Sequence, residues 1–99
     1  MKSIQIDWTP LAREQMIALH EYITESSLSA ANNQVKIVTE AVDRLADFPE
    51  KGRPGRRRDT RELVVAGTPY IVAYSVRSSA LVILAVIHGA RRWPRSFTG

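Results

Sequence analysis

Histidine and arginine carry most of the chemistry available to this 99-residue chain. His88 ends an apolar run beside Gly89 and is followed by Arg91, Arg92 and Trp93. An imidazole at a strand end among arginines can act as general acid or base on a phosphodiester, with arginine stabilising the charge of the phosphorane. The alternative role for His88 is structural, its ring bonding the backbone where the strand stops. His20 falls opposite the apolar stripe of its helix and reads as a surface residue. The run Arg56-Arg57-Arg58, followed by Arg61, suits contact with phosphate or with an acidic protein surface, or is simply a solvated loop. Arg61 opens a strand next to Glu62, so a salt bridge between the two competes with any ligand role.

The missing chemistry is as informative. The chain has no cysteine, which excludes disulfides, zinc–thiolate sites, iron–sulfur clusters and thiol catalysis. It has no metal-ligand spacing, glycine-rich nucleotide loop or serine nucleophile elbow. No cofactor and no metal are expected, and the pattern is not that of a conventional metabolic enzyme.

The net charge of +4 divides unevenly. Residues 1–50 hold four basic side chains against eight acidic ones, whereas residues 51–99 hold ten against two. Eleven of the fourteen basic residues are arginine, so the second half points to an anionic partner. The N-terminal residues lack an apolar leader and no stretch approaches the roughly 20 apolar residues of a membrane span. A cytoplasmic protein without membrane contact is expected.

These side chains need elements to position them. Ile4, Ile6 and Trp8 alternate with polar neighbours, the period of a strand with one buried face. Thr9-Pro10 predicts an N-cap and first helical residue. Leu11, Ala12, Met16, Leu19 and Ile23 then form one helical stripe to about Glu25. Ser29 is the expected cap of a second helix, in which Ala31, Val35, Val38, Val42 and Leu45 recur at spacings of four and three to about Asp47. Glu50–Thr60 reads as a basic Gly/Pro loop. Three strands follow at Arg61–Ala66, Tyr70–Val76 and Leu81–His88. The predicted fold is α+β, in the order β-α-α-β-β-β: a helical hairpin on one face of a small, mostly antiparallel four-stranded sheet. Residues 1–99 form one domain, with 95–99 expected as a mobile tail.

The last strand is apolar on both sides. Leu81, Ile83, Ala85 and Ile87 are expected on one face, and Val82, Leu84 and Val86 on the other. Two helices cover only one face, so the second calls for a partner, or for a cover made of the tail and long arginine stems.

Together these segments resemble a known family. The residues that carry the likeness are Trp8 leading into the first helix, Leu45-Ala46-Asp47-Phe48-Pro49 before Gly52-Arg53-Pro54-Gly55, and Arg61-Glu62-Leu63-Val64-Val65. Gly67-Thr68-Pro69-Tyr70-Ile71-Val72-Ala73-Tyr74 and His88-Gly89-Ala90-Arg91-Arg92-Trp93-Pro94 complete it. Over about residues 4–94 the chain resembles the RelE/ParE toxin superfamily of type II toxin–antitoxin systems. The resemblance implies a toxin neutralised by a cognate, ParD-like antitoxin. The antitoxin's acidic C-terminal segment would fold onto Leu19 and Ile23 of the first helix and onto Val82, Leu84 and Val86. DNA contact would come only through the antitoxin. The superfamily divides between inhibitors of DNA gyrase and endoribonucleases that cut mRNA on the ribosome. The ribonuclease branch commonly has an arginine early in the penultimate strand and a tyrosine near the C-terminus. Here the strand opens Tyr70-Ile71-Val72, and no tyrosine lies beyond Tyr74. The resemblance therefore favours a ParE-like gyrase inhibitor with no catalytic residues, engaging its target through Arg56, Arg57, Arg58, Arg61, Arg91, Arg92 and Trp93. The ribonuclease alternative would use His88, Arg61 and Arg91.

Overall fold

The computed structural model describes residues 4–90 and Trp93. Arg91, Arg92 and the expected tail 95–99 lie outside the described residues. The chain forms β1 (Gln5–Trp8), α1 (Pro10–Thr24), α2 (Leu28–Leu45), β2 (Arg53–Pro54), β3 (Arg61–Val64), β4 (Tyr70–Arg77) and β5 (Ala80–His88). The α+β class and the helical hairpin agree with the sequence. The sheet, however, has five strands in the order β1-β5-β4-β3-β2, not four. The additional strand is β2, inside the expected basic loop, which pairs antiparallel with β3. Its Pro54 is tolerated because β2 is an edge strand, where a missing N–H breaks no ladder.

The N-cap at Thr9 forms as predicted, its hydroxyl accepting from the Ala12 amide at 3.2 Å. The second cap is Ser27 rather than Ser29. Its hydroxyl accepts from the Ala30 amide at 3.1 Å, and α2 begins at Leu28. Both serines are good caps by type. The Ser26 and Ser27 amides bond back to the Ile23 carbonyl and close the turn early, which selects Ser27.

β1 runs parallel to β5, and the other neighbouring pairs are antiparallel. The β4–β5 register slips between Ala73, opposite Ala85, and Tyr74, opposite Ile83, leaving Leu84 as the bulged residue. The bulge changes which side chains share a face. Leu81, Ile83 and Val86 join Val72 and Tyr74 in the main core beneath Ala12, Leu19, Val38, Val42 and Leu45 of the helices. Val82, Leu84, Ala85 and Ile87 join Ala73 on the second face. The strict alternation expected for β5 is therefore wrong beyond Leu84. Val86 lies under the helices rather than beside Val82 and Leu84, and Ala85 and Ile87 have crossed to the second face.

α1 holds the bulge in place. Where β1 ends, the Thr9 hydroxyl donates toward the carbonyls of Ile83 (2.9 Å) and Leu84 (3.2 Å). The Gln15 side-chain oxygen accepts from the Val86 amide at 2.7 Å. Backbone groups of β5 at and beyond the end of β1 are thus satisfied by the Thr9 amide and by the Thr9 and Gln15 side chains, as buried polar groups must be.

Candidate functional site

The basic segment is a hairpin clamped from both faces of the sheet. Consecutive strand residues point to opposite faces. Arg61 lies opposite Tyr74 of the main core, whereas Glu62 lies opposite Ala73 of the second face. The expected Arg61–Glu62 salt bridge is therefore replaced by two separate grips. On one side the Arg61 guanidinium donates to the carbonyls of Gly52 (2.7 Å) and Glu50 (3.3 Å). The Tyr74 hydroxyl donates to the Pro49 carbonyl and accepts from the Gly52 amide, both at 2.8 Å. On the other side the buried Glu62 carboxylate accepts from the Arg56 amide (2.8 Å), from Arg56 Nε (3.3 Å) and from the Arg53 guanidinium (3.2 Å).

Burial alone would raise the Glu62 pKa. The Arg56 amide, the Arg53 side chain and the Arg56 charge outweigh it and hold the carboxyl below its usual range. Burial pushes the Tyr74 phenol upward, partly offset by the Gly52 amide and the Arg61 charge.

Two backbone features shape the hairpin. Gly52 packs so closely that a Cβ would stand 2.6 Å from the Tyr74 hydroxyl, so no larger residue fits without displacement. Asp59 adopts φ 58°, a left-handed conformation that Asp tolerates in tight turns, and the Thr60 hydroxyl donates to the Arg57 carbonyl at 2.6 Å to close the tip. Arg57 and Arg58 project there, and the Arg58 side chain is 97% exposed.

The candidate residues separate into distinct roles. Arg56 and Arg61 are held by the fold, whereas Arg57 and Arg58 present charge at an exposed tip. Trp93 packs on the second sheet face with the Arg56 guanidinium 3.5 Å from its ring centre. Of the two covers expected for the second face, a partner or the tail with long arginine stems, this placement is the second. Val82 and Leu84 are buried within the chain itself, with Leu11, Ala80 and Trp93 packed around their cluster. Leu19 is buried against the sheet and Ile23 is half-buried. His88 is at the expected strand end, where its Nδ1 accepts from the Ala90 amide at 3.1 Å and its ring meets Tyr70 edge-on at 5.6 Å. His20 is half-buried rather than fully at the surface, bonded to Asn32 of α2 at 2.8 Å.

His88 and Arg61 are not brought together. They flank Tyr70 and Tyr74, four residues apart on β4 and on opposite sides of it, so their Cα atoms are about 16 Å apart at ordinary strand dimensions. Among the described residues no cluster of three or more metal-ligating side chains occurs, and no helix is long and apolar enough to cross a membrane. Sequence reasoning missed Gln15, Arg53, Gly52 and Tyr74 as organisers of the site. Their signals were present only as an unremarkable helix glutamine, a loop arginine, a loop glycine and a strand tyrosine.

A helical hairpin on this mixed sheet is a fold shared with a solved toxin–antitoxin structure. A structure of the chromosomal ParDE TA system from P. aeruginosa superposes with a TM-score of 0.79 at 21% identity, covering 87% of this chain and 96% of that one. The family model for the ParE toxin of type II toxin–antitoxin system, parDE, matches residues 6–93, and the chain belongs to that family. Its similarity extends to Y4kP of Sinorhizobium fredii strain NGR234, 40% identical over 96% of this chain and 98% of that one. Toxin RelE2 of Caulobacter vibrioides is 36% identical over 88% and 97% of the two chains.

Proposed function

We propose that the chain is the toxin of a type II pair, neutralised by a cognate ParD-like antitoxin, and that the released toxin inhibits DNA gyrase and so replication. The observation that supports this target over RNA is the dispersal of the ribonuclease candidates. Arg61 is committed to the Gly52 and Glu50 carbonyls, His88 accepts from the Ala90 amide, and the two stand on opposite sides of β4. General acid–base cleavage needs its groups within hydrogen-bond reach of one phosphate.

The inhibition would be a matter of binding rather than chemistry, with Arg57 and Arg58 at the hairpin tip meeting the target. Exposed arginines make good interface anchors because a planar guanidinium bonds two acceptors at once. The antitoxin's acidic segment would meet the same basic half. The helical hairpin offers its apolar side chains exposed Ile17 and Leu28 and half-buried Ile23.

The test is induction in a bacterium with DNA and protein synthesis followed separately, together with a supercoiling assay on purified gyrase. Early loss of replication with trapped gyrase–DNA breaks is the expected result. Early translation arrest with cut mRNA would replace this reading with the ribonuclease one, in which His88, Arg61 and Arg91 converge on the ribosome.

A further inference from the structure

The second sheet face carries a device that joins the basic hairpin to Trp93. Its floor is made of small side chains: Ala73 and Ala85 face one another across β4 and β5 and are fully buried. Val82, Leu84 and Ile87 belong to the same cluster, and Trp93 packs against it. Two small residues side by side leave room for a large flat ring. Arg56 then stacks over that ring, 3.5 Å from its centre. Arg56 itself is held twice by Glu62, through its backbone amide and through Nε.

We propose that Glu62, Arg56 and Trp93 form a latch that holds the Trp93 ring on the sheet, with Glu62 as a positioning residue acting through Arg56. An arginine on a hairpin loses much rotamer freedom when it stacks, and a half-exposed one would rarely keep a single pose unaided. Glu62 removes that freedom in advance. Its carboxylate is buried, projects from the same sheet face as Ala73, and fixes both the main chain and the side chain of Arg56. The guanidinium therefore meets the indole already oriented.

The consequence is coupling between two parts of the surface that are far apart in sequence. An anionic group that draws Arg56 away from Glu62 loosens Trp93, and loss of Trp93 loosens the hairpin at Arg56. A cation–π contact of this exposure corresponds to a factor of about 2–5 in the ratio of latched to unlatched chain. The latch operates whichever target the toxin meets, so its test is independent of the gyrase reading.

Trp93 can be observed alone in the full-length chain carrying Trp8→Phe, since the sequence has only these two tryptophans. Acrylamide quenching of Trp93 fluorescence should rise about two-fold or more in Arg56→Ala and also in Glu62→Gln. Arg53→Ala removes the other cation on Glu62 without touching the stack, and should leave quenching close to that of the parent. Far-UV circular dichroism reports the fold of each variant. Unchanged quenching in a folded Arg56→Ala chain would overturn the latch. An equal rise in Arg53→Ala would also overturn it, because general loosening would then explain the effect. If Trp8→Phe or Glu62→Gln fails to fold, 5-fluorotryptophan labelling with 19F NMR resolves Trp93 in the otherwise native chain and in Arg56→Ala. A Trp93 resonance that does not move between them counts against the proposal.

Discussion

Arg61 and Glu62 are adjacent on β3 and grip the same basic segment from opposite faces of the sheet. Arg61 takes the carbonyls of Gly52 and Glu50, while Glu62 takes the side chains of Arg53 and Arg56 and the Arg56 amide. Strand geometry prevents the two from pairing with each other and makes each available to a different stretch of loop. A run of arginines that would repel itself in isolation is thereby folded into a defined hairpin, with Arg57 and Arg58 left at its tip.

The Tyr74 hydroxyl completes the first grip, and removing it tests how much the loop depends on it. Tyr74→Phe leaves the buried Gly52 amide without its acceptor and should destabilise the chain by about 1–3 kcal/mol. Gly52→Ala should also destabilise it, because the added methyl meets the Tyr74 ring and hydroxyl at 2.7 and 2.6 Å. Urea unfolding of the two single variants and the double variant would give a combined loss smaller than the sum, since both changes damage one contact.

The capping hydroxyl of Thr9 has a second duty at the β5 bulge. Thr9→Val should cost about 1–3 kcal/mol, more than an exposed cap, because it strips the cap and removes the hydroxyl donor from the Leu84 carbonyl, while the Ile83 carbonyl keeps only the Thr9 amide. Thr9→Ser should retain most of the stability. Thermal unfolding of the pair separates the hydroxyl from the methyl, and equal losses in both would contradict this role.

Glu62 makes stability depend on acid. Its folded pKa lies below the ordinary 4.5, so the unfolded chain takes up the proton first as pH falls. The stabilisation is therefore complete above that ordinary value and is lost progressively as pH drops below it toward the folded pKa. Glu62→Gln should be less stable than the parent at pH 7, with the difference shrinking between pH 5 and 3 (about the span over which such a carboxyl titrates). Denaturant titrations across that range would show the two curves converge; parallel curves would refute the assignment.

The gyrase reading makes a prediction about which residues matter. His88→Ala should leave growth arrest intact, whereas Arg57→Ala with Arg58→Ala should weaken gyrase inhibition about ten-fold or more, as loss of interface anchors does. Stability of the double arginine variant should change by no more than about 1 kcal/mol, since contacts made by exposed arginines are worth little. Supercoiling assays on the purified variants would measure the inhibition, and urea unfolding the stability.

Local rules made much of this molecule legible in advance. Apolar alternation at Ile4–Trp8, the Thr9-Pro10 cap and the 3.6-residue stripe of α2 each concern neighbours within a turn or a strand, where sequence spacing is spatial spacing. The charge division was equally visible, as was the absence of thiol chemistry. The choice of Ser27 over Ser29 depended on where the preceding turn closed, a local detail that two equally good caps could not settle.

The tertiary structure alone decided the rest. One bulged residue, Leu84, reassigned the inward and outward faces of half a strand, because a period of two has no tolerance for a one-residue slip. Tyr74, Arg61 and Glu62 became the organisers of a basic hairpin only when strand pairing brought them to segments 6 to 25 residues away. Trp93 came to rest on the second-face cluster for the same reason: long-range packing depends on which faces the sheet presents. The sequence by itself determined the elements, the charge and the family; the register of β5 against β4 determined which residues could meet.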